Sequence, residues 1–575
     1  MDKIKNIFAK HSTKFYLFAV IAIILIGFLL RIMGLDKPDG FWYDEALSFS
    51  VAKESFPLGI LHKLYTQDFH APLYYFFMHF YSSVIHNNEL LIRLSSVVFG
   101  VISLPIFYLV GKELDSRKAG LYTVALASIN SCLIYYSQEV RFYSLLMLLS
   151  TLAFLFMIRI KRTKSKIDII GFALTNLLIL YTYSMGNLYV FFEVVIFAIY
   201  LFFINKKTLK SLIISQAIVA LLYLPYFQAI LHFTKMMSGS IAGSFWWVKF
   251  GIASPVLVLQ DWFTPVLVNL RSHPTNYYDP LFSGGFSLLF TLFIFLPIII
   301  YLTGIIKAVF QKNFSGIIFL VGFAYLFTEI ILASQGKLGL MTRYTLIALP
   351  SAIITAGYGL SKIKNKSLSV ALISTITGLS LFWLVFSPMS APKMTRDGYH
   401  KYIVEVEKFH PTADDIIIIP YGGRFFKGYY LNDKAFILPF DIELSYLANQ
   451  NLNFLFDKQT INSITNNMDK NKALLRSYIS SNAPAPMFEK YIQQNVLNRL
   501  KKNGRVFIII SGGINAYKPE ELSKITMNDS MYIDVPIFLL LSSKTTNDIL
   551  TLAHKNLQFA YAKDYLSWQM YIFKK

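Results

Sequence analysis

The chain alternates long apolar stretches with short polar segments, and most of the apolar stretches are about as long as a membrane is thick. A helix needs about 20 apolar residues to cross the hydrocarbon core of a bilayer. The pattern predicts eleven spanning helices, and the first follows a lysine-rich tail without a small-residue cleavage site, which indicates a retained span rather than a signal peptide. The predicted spans are 15–32, 91–110, 119–137, 142–158, 167–183, 188–205, 211–231, 285–306, 314–334, 343–361 and 367–387.

One apolar stretch, Ala71 to Ile85, is about fifteen residues long and contains His79. That length predicts an interfacial or re-entrant helix rather than a span. Leaving it out of the count puts the basic cluster Lys112 to Lys118 on the side of the N-terminus, as the positive-inside rule requires. The N-terminus is then cytoplasmic, while the first outer loop 35–89 and the outer loop 232–285 lie outside.

The outer loop 232–285 is rich in aromatic side chains, and two interpretations of them stay open. They either anchor the loop at the bilayer surface, where such rings are common, or belong to a lid that closes over a substrate. The residues concerned are Trp246, Trp247, Trp262, Tyr277 and Tyr278.

The composition changes after Pro388, which divides the chain into a membrane module (1–389) and a soluble extracytoplasmic α/β domain (390–575). Short β-branched runs separated by polar stretches predict the strands of this domain. Ser511-Gly512-Gly513 follows one of them and could cradle a phosphate, although a full nucleotide fingerprint is missing. The predicted strands are 416–419, 435–438, 506–510, 537–541 and 569–573.

Composition agrees with the hydropathy pattern. Of the 575 residues 55% are hydrophobic and only 15% are charged, and the mean hydropathy is +0.49, which excludes an ordinary soluble protein. The net charge of +21 lies mostly in short clusters between apolar runs, as in membrane proteins whose orientation is set by Lys and Arg. No basic region accompanies a groove-reading motif, so a nucleic-acid partner is not expected.

Cysteine chemistry contributes little, because the chain has one cysteine, Cys132, inside an apolar run. It can form no intrachain disulfide and no metal quartet, and we expect a small buried side chain.

Polar and ionisable groups gather on the predicted outer face. Ionisable groups near membrane depth are costly to hold and are functional candidates. A carboxylate can take a proton from an attacking hydroxyl, while Arg and Lys can hold the phosphate of a leaving group. The set therefore suits group transfer from a phosphorylated donor. Its members are Asp44, Glu45, Asp68, His70, Gln138, Glu139, Arg141, Lys337, Arg343 and Tyr344.

Several motifs, taken in order, resemble a known family. They are Asp44-Glu45 after the first span, Asp68-Phe69-His70-Ala71-Pro72-Leu73-Tyr74-Tyr75, Ser137-Gln138-Glu139-Val140-Arg141-Phe142-Tyr143, and Arg343-Tyr344 followed by Pro350. Together they resemble the GT-C membrane glycosyltransferases, in particular the dolichyl-phosphate-mannose protein mannosyltransferase-like and lipid A aminoarabinose transferase-like group. The resemblance covers residues 15 to 390. His70-Ala71-Pro72 departs from it, since related sequences often have a second proline there.

The resemblance implies a polyprenyl-phosphate-linked sugar as donor and assigns roles to the matching residues. Asp44 would be the general base on the acceptor hydroxyl, with Glu45 orienting it. Arg343 and Lys337 would bind the lipid phosphate. The substrate-binding set implied by the resemblance comprises His70, Glu139, Arg141, Tyr143, Lys337, Arg343 and Tyr344.

Most of these residues also have a plainer interpretation. Glu45 could cap the helix that begins near Ala46, and Arg141 could pair with Glu139 rather than touch substrate. His70 could end the loop, and Lys337 could be an ordinary interfacial lysine. No structural metal is predicted, because no Asp-x-Asp motif or His/Cys quartet is present. A divalent ion between Asp44 and Glu139 stays open.

The leading hypothesis is a multi-pass plasma (inner) membrane glycosyltransferase that transfers a hexose or pentose with inversion. The acceptor would be a protein, lipid A or another envelope glycan outside the cytoplasm. A lipid-linked saccharide transporter or flippase is the alternative, although it would need polar groups along the spans, where Glu193 and Glu329 are among the few. A membrane-anchored sensor would not need eleven spans.

Overall fold

The computed structural model of the chain is mostly helical, with a β-sheet near the C-terminus. It describes residues 2–37, 40–65, 70–85, 88–238, 250–251, 254–264, 287–311, 313–335, 337, 340–386, 400–420, 436–440, 489–490, 492–511, 548–565 and 568–575.

Helices follow one another through the first two thirds of the chain, mostly with short connections. The first nine are α1 (Asp2–Ile32), α2 (Tyr43–Ala52), α3 (Leu58–Lys63), α4 (Leu73–Val84), α5 (Glu89–Leu114), α6 (Arg117–Ile129), α7 (Ser131–Tyr136), α8 (Tyr143–Thr163) and α9 (Lys166–Thr182). The next nine are α10 (Gly186–Ile204), α11 (Lys206–Ser238), α12 (Ser254–Phe263), α13 (Ser287–Val309), α14 (Phe314–Ser334), α15 (Thr342–Thr345), α16 (Leu349–Ser361), α17 (Lys366–Phe386) and α18 (His400–Glu407).

Within the described residues, eight helical segments are long and apolar enough to cross a membrane. They confirm a polytopic helical membrane protein. The remaining three predicted spans are also helical, but 117–129 and 166–182 are shorter, and 285–306 corresponds to α13 (Ser287–Val309), whose side chains are described from Phe295 on. That these three cross the bilayer stays a prediction. The eight are Lys14–Ile32, Glu89–Leu114, Tyr143–Thr163, Gly186–Ile204, Lys206–Leu231, Phe314–Ser334, Thr342–Ser361 and Lys366–Phe386.

Two spans form the interior of the bundle. In the most apolar stretches of Thr342–Ser361 and Tyr143–Thr163, 89% and 78% of the residues are buried, against 11% in Lys206–Leu231. Small residues allow the closest helix crossing, because a Cβ added at Gly359 would lie 1.8 Å from the carbonyl oxygen of Gly304. Close backbone approach at glycine is a common device for packing helices where lipid removes the hydrophobic driving force.

The predicted span 119–137 is not one helix. The chain breaks at Asn130, whose backbone is extended (φ −68°, ψ 118°), and restarts as α7. The Asn130 side chain accepts a hydrogen bond from the Leu133 amide at 3.0 Å and so caps the new helix. The prediction of a continuous helix over 119–137 is wrong, because hydropathy does not register a single capping residue within an apolar run.

The short apolar stretch Ala71 to Ile85 forms α4, a helix of 12 residues. At 1.5 Å per residue it is about 18 Å long, which is too short to cross a bilayer of about 30 Å. The prediction of a non-spanning helix agrees with this length.

The outer loop 232–285 is described in part. Its first residues extend α11 to Ser238, and its middle forms α12. Trp262 is 3% exposed and packs inside the protein, so it does not anchor the loop at the bilayer surface, and the lid interpretation stays a prediction. The other four aromatic residues of that prediction lie outside the described residues.

The described C-terminal strands form one five-stranded sheet, β1 (Ile416–Pro420), β2 (Phe436–Phe440), β3 (Arg505–Ser511), β4 (Gln558–Tyr565) and β5 (Trp568–Lys574). Its order is β2-β1-β3-β5-β4, with β1 parallel to β2 and β3, and β5 antiparallel to β3 and β4. Four of the predicted strands are present, β4 was not predicted, and 537–541 lies outside the described residues. So do Gly512 and Gly513 and the predicted boundary near 389, which stays a prediction.

An ion pair between the buried Asp415 and the partly exposed Arg505 ties two neighbouring strands of this sheet together. Arg505 Nη2 lies 2.7 Å from Asp415 Oδ2, and Arg505 Nε donates to Oδ1 at 3.1 Å. Burial alone raises the pKa of Asp415, but hydrogen bonds from Arg505 and from the Thr412 backbone outweigh it and hold the pKa below its ordinary value. The carboxylate therefore stays ionised at neutral pH.

Candidate active site

The segment between α1 and α5 is organised around a buried ion pair of Glu45 and Arg93. Arg93 Nε donates to Glu45 Oε1 at 2.9 Å and Arg93 Nη2 to Oε2 at 2.8 Å, and both side chains are 1% exposed. Arg93 also donates to the carbonyl oxygens of Leu35 and Gly40 at 3.4 and 2.7 Å. The pair therefore fixes the path of the chain into α2.

Glu45 is also bound to the backbone on two sides. Its Oε2 accepts from the Trp42 amide at 3.3 Å, which caps the start of α2, and its Oε1 accepts from the Val140 amide at 3.3 Å. Burial raises the pKa of Glu45, but Arg93 outweighs it and the pKa lies below the ordinary value. This geometry matches the capping interpretation and joins α2 to the turn before α8.

Asp44, one residue earlier, faces a different environment. Its Oδ2 accepts a hydrogen bond from Arg343 Nη1 at 3.2 Å and lies 4.0 Å from Arg141 Nε. The side chains of Asp44 and Arg343 keep 12% and 20% of their exposure, so water reaches this pair. The structure thus brings together three residues that the sequence separates by up to 299 positions.

Arg141 is almost fully buried and held by two hydroxyl groups besides Asp44. Its Nη1 donates to Ser48 Oγ at 3.1 Å and to Tyr75 Oη at 3.0 Å. Ser48 lies one turn after Asp44 on α2, so the same face of the helix presents both. These contacts connect Arg141 with Asp44, and the predicted pairing of Arg141 with Glu139 stays a prediction.

The turn that carries Glu139 and Arg141 is anchored to the end of α1. Gln138 Nε2 donates to the carbonyl oxygens of Arg31 and Met33 at 3.0 and 2.8 Å. Glu139 is 1% exposed.

Tyr143 marks where the candidate groups converge. Its side chain lies within electrostatic range of Arg343, Arg141, Asp44 and Glu139. Four of the predicted site residues therefore lie near one buried tyrosine.

Arg343 and Tyr344 lie in the short helix α15 at the start of a buried span. The Arg343 guanidinium lies over the Tyr344 ring, 5.2 Å from its centroid, and its Nη2 donates to Tyr344 Oη at 3.4 Å. The carbonyl oxygen of Tyr344 accepts hydrogen bonds from the hydroxyls of Tyr183 and Tyr325 at 3.2 and 3.0 Å. The segment is thus tied to α14 and to the end of α9.

The remaining predicted residues lie at the edge of this arrangement. His70 is half-buried, with its ring edge-on to Phe142 at 5.1 Å between centroids. Lys337 is exposed, and its described contact is a backbone hydrogen bond to Leu332 at the end of α14. Its binding of a phosphate stays a prediction. Asp68 lies outside the described residues.

The described residues contain no group of three His, Cys, Asp or Glu side chains placed to hold a metal ion. A divalent ion between Asp44 and Glu139 would have only two protein ligands, so the absence of a three-residue group does not bear on it. It stays a prediction.

Sequence reasoning missed Arg93 and gave Tyr75 no role. The signal for Arg93 was present, since it is an arginine at the head of an apolar run, where an ionisable group needs a partner. Tyr75 stands in the quoted motif, but a tyrosine among aromatic neighbours does not reveal which hydroxyl meets a charge.

A known family model matches part of the chain. Residues 69–233 match the family model of dolichyl-phosphate-mannose-protein mannosyltransferase, which is less than a third of the chain. The match includes His70, Glu139, Arg141 and Tyr143 but neither Asp44 nor Arg343. No curated protein sequence matches the chain.

Solved structures match over almost the whole chain. ArnT from Cupriavidus metallidurans in the apo state has a TM-score of 0.54 at 9% identity, with 98% of both chains covered. ArnT from the same organism bound to undecaprenyl phosphate scores 0.52 at 10% identity, with the same coverage. The Archaeoglobus fulgidus oligosaccharyltransferase in the apo form scores 0.51 at 10% identity and covers 97% of this chain and 74% of that chain.

These matches show the fold. The chain has the GT-C fold of membrane glycosyltransferases, and the resemblance inferred from its motifs is confirmed at that level.

Proposed function

We propose that this chain is an integral membrane glycosyltransferase that moves a sugar from a polyprenyl-phosphate carrier to a hydroxyl acceptor. The observation that carries the proposal is the contact of Asp44 with Arg343 at 3.2 Å, in a place that water reaches. A carboxylate that can receive a proton lies beside a cation that can hold a phosphate. The GT-C fold and the match to the mannosyltransferase family model support it.

The reaction we propose is a single displacement. The acceptor oxygen attacks the anomeric carbon, the bond from that carbon to the phosphate oxygen breaks, and the hydroxyl proton passes to Asp44. The lipid keeps its phosphate, whose growing negative charge is stabilised by Arg343. Attack opposite the leaving group inverts the anomeric centre.

In this scheme Arg343 exchanges partners during the cycle. Without donor it donates a hydrogen bond to Asp44. A bound phosphate competes for the guanidinium and leaves Asp44 available to the acceptor. Arg141, fixed by Ser48 and Tyr75, keeps a second positive charge near Asp44.

Glu45 has a positioning role in this proposal. Its carboxylate is enclosed by Arg93 and two backbone amides, so it orients α2 and thereby Asp44 without touching substrate. His70, Glu139, Tyr143 and Tyr344 are proposed to line the sugar and phosphate positions around this core.

We place the site on the extracytoplasmic side of a plasma membrane, with the N-terminus in the cytoplasm. The C-terminal sheet region then lies on the same side as the site, where it can help to select a protein, lipid or glycan acceptor. The positive-inside distribution of Lys and Arg supports this orientation.

The test is turnover by the purified protein supplied with polyprenyl-phosphate sugars and candidate acceptors. We expect a new glycosidic bond with inverted configuration, and a fall of about 100-fold or more for Asp44→Asn. Asp115→Asn is the control, because Asp115 pairs with Lys362 at the ends of α5 and α16 away from the site. Undiminished turnover by Asp44→Asn would defeat the assignment of the base.

An assay in proteoliposomes distinguishes the transporter alternative from glycosyl transfer. It would gain support from Glu193, which is buried in α10 and has no hydrogen-bond partner for either carboxylate oxygen within the described residues. Movement of a lipid-linked saccharide across the bilayer without a new glycosidic bond would favour that rival over glycosyl transfer.

A further inference from the structure

The short helix α12 reaches the segment that carries Arg343 from the outer-loop side. Asp261 is fully buried, and its Oδ2 accepts a hydrogen bond from the Thr342 hydroxyl at 2.6 Å. The next residue, Trp262, donates from its indole Nε1 to Thr345 Oγ1 at 3.2 Å. Two successive residues of α12 therefore hold both ends of the four-residue helix α15.

The same helix also contacts the other half of the site. The carbonyl oxygen of Trp262 accepts from Asn130 Nδ2 at 2.7 Å, and Asn130 begins the helix that leads to the turn with Glu139 and Arg141. Phe263 stacks on Tyr301 of α13 with 4.8 Å between ring centroids. The outer-loop helix is thereby seated against three elements.

The chemistry of Asp261 indicates more than ordinary packing. A fully buried carboxylate costs free energy unless its oxygens are satisfied, and a hydrophobic side chain would fill the place at lower cost. Here the Asp261 carboxylate accepts a hydrogen bond from the hydroxyl of Thr342, the residue directly before Arg343. Thr345 in turn donates to the Thr342 carbonyl oxygen at 2.9 Å, so the two anchored threonines also bind each other.

We propose that Asp261 and Trp262 are positioning residues for phosphate binding: through Thr342 and Thr345 they fix the helix that aims the Arg343 guanidinium toward Asp44. The outer loop 232–285 thus contributes to the site through α12, by orienting a cation. This inference rests on the proposed function, since it takes Arg343 as the group that holds the lipid phosphate.

The experiment measures the Kd for undecaprenyl phosphate, with turnover and thermal stability, in the full-length protein. The variants are Asp261→Ala, Arg343→Ala and the double substitution. We expect Asp261→Ala to raise the Kd for undecaprenyl phosphate about tenfold, which is the typical effect of losing one hydrogen bond to a charged group. In the Arg343→Ala background, Asp261→Ala should change the Kd by less than twofold, because Asp261 is proposed to affect binding only through Arg343.

A gentler pair keeps the test decisive if Asp261→Ala fails to fold. Thr342→Val removes the hydroxyl at nearly constant shape and should weaken binding by a similar factor, while Thr342→Ser retains the donor and should restore it. Val256→Ala, on the exposed side of α12, is the control and should match the unsubstituted protein.

The outcomes separate the two proposals. If the unsubstituted protein does not bind undecaprenyl phosphate, the proposed function fails and the inference fails with it. If it binds, and Arg343→Ala weakens binding while Thr342→Val leaves the Kd unchanged, the inference alone is overturned. Equal losses in the presence and absence of Arg343 would also overturn it, since they would make α12 a general structural support.

Discussion

Two neighbouring carboxylates, Asp44 and Glu45, have opposite surroundings. Glu45 is enclosed by one arginine that matches it with two hydrogen bonds, and two backbone amides complete its shell. Asp44 meets Arg343 through a single hydrogen bond and lies 4.0 Å from Arg141. Because successive residues of a helix point about 100° apart, Glu45 faces Arg93 and Asp44 faces Arg343.

The difference shows what each kind of pair can do. A closed, two-pronged and dry ion pair resists rearrangement, since separating it exposes an uncompensated buried charge. A single contact in a place that water reaches can be exchanged for a ligand at small cost. Adjacent acids in a sequence therefore need not share a role.

The largest expected effect comes from breaking the closed pair. Glu45→Gln removes the carboxylate that Arg93 meets with two hydrogen bonds and leaves the more distant Glu89 at 3.9 Å, which should lower the free energy of unfolding by about 3 kcal/mol. Asp44→Asn should change it by less than about 1 kcal/mol, while abolishing most turnover. Denaturant unfolding in detergent, with turnover normalised to folded protein, checks both.

The proposed difference in role between Asp44 and Glu45 would be contradicted if the Glu45→Gln variant kept its free energy of unfolding but lost its turnover. That result would place Glu45 among the catalytic residues. Arg93→Gln combined with Glu45→Gln sharpens the test, because removing both charges should cost less than removing one.

A second two-pronged pair, Asp415 with the partly exposed Arg505, offers a related test away from the site. Asp415→Asn removes hydrogen bonds to a charged group and should destabilise the β1 and β3 region by about 1.5–3 kcal/mol without changing the chemistry of the reaction. Hydrogen exchange of the β1 and β3 amides in the full chain measures it. Lys501→Ala, which removes an exposed pair with Asp414, is the control and should have an effect below about 1 kcal/mol.

The ion pairs of Glu45 with Arg93 and of Asp415 with Arg505 should both stabilise the fold less as the pH falls. Folding lowers the pKa of Glu45 and of Asp415, so each contributes stability that is complete above its ordinary pKa, near 4.5 and 3.8. That contribution is lost as the pH falls through the lower folded pKa. Unfolding measured from pH 6 down to pH 3 should show the loss, and Asp415→Asn should flatten it in the β1 and β3 region.

The sequence predicted much of this arrangement because its signals are chemical and local. Apolar length identified the spans, and a carboxylate and two arginines at the ends of different spans indicated the face on which Asp44, Arg141 and Arg343 meet. The motifs carried the resemblance to GT-C enzymes. Each signal depends on residue type and spacing alone.

Pairing partners could not be predicted in the same way. Which arginine meets Glu45 depends on how α2 and α5 pack, and neither Arg93 nor Glu45 carries a local mark of that contact. The burial of Trp262 is likewise a tertiary effect, since its carbonyl oxygen and indole are bound by Asn130 and Thr345. The break at Asn130 instead comes from a local cap, which hydropathy does not register.

The smallest expected effect concerns the hydroxyl that supports Arg141. Tyr75→Phe removes one acceptor from the Arg141 guanidinium and should lower turnover by about tenfold, the value of one hydrogen bond to a charged group. Tyr74→Phe is a matched control, because Tyr74 is equally buried and its hydroxyl meets Ser96 instead. Initial rates at low and saturating donor concentrations measure the change. If both variants lose the same activity, Tyr75 contributes only packing, and turnover depends less on Arg141, the second arginine near Asp44, than we propose.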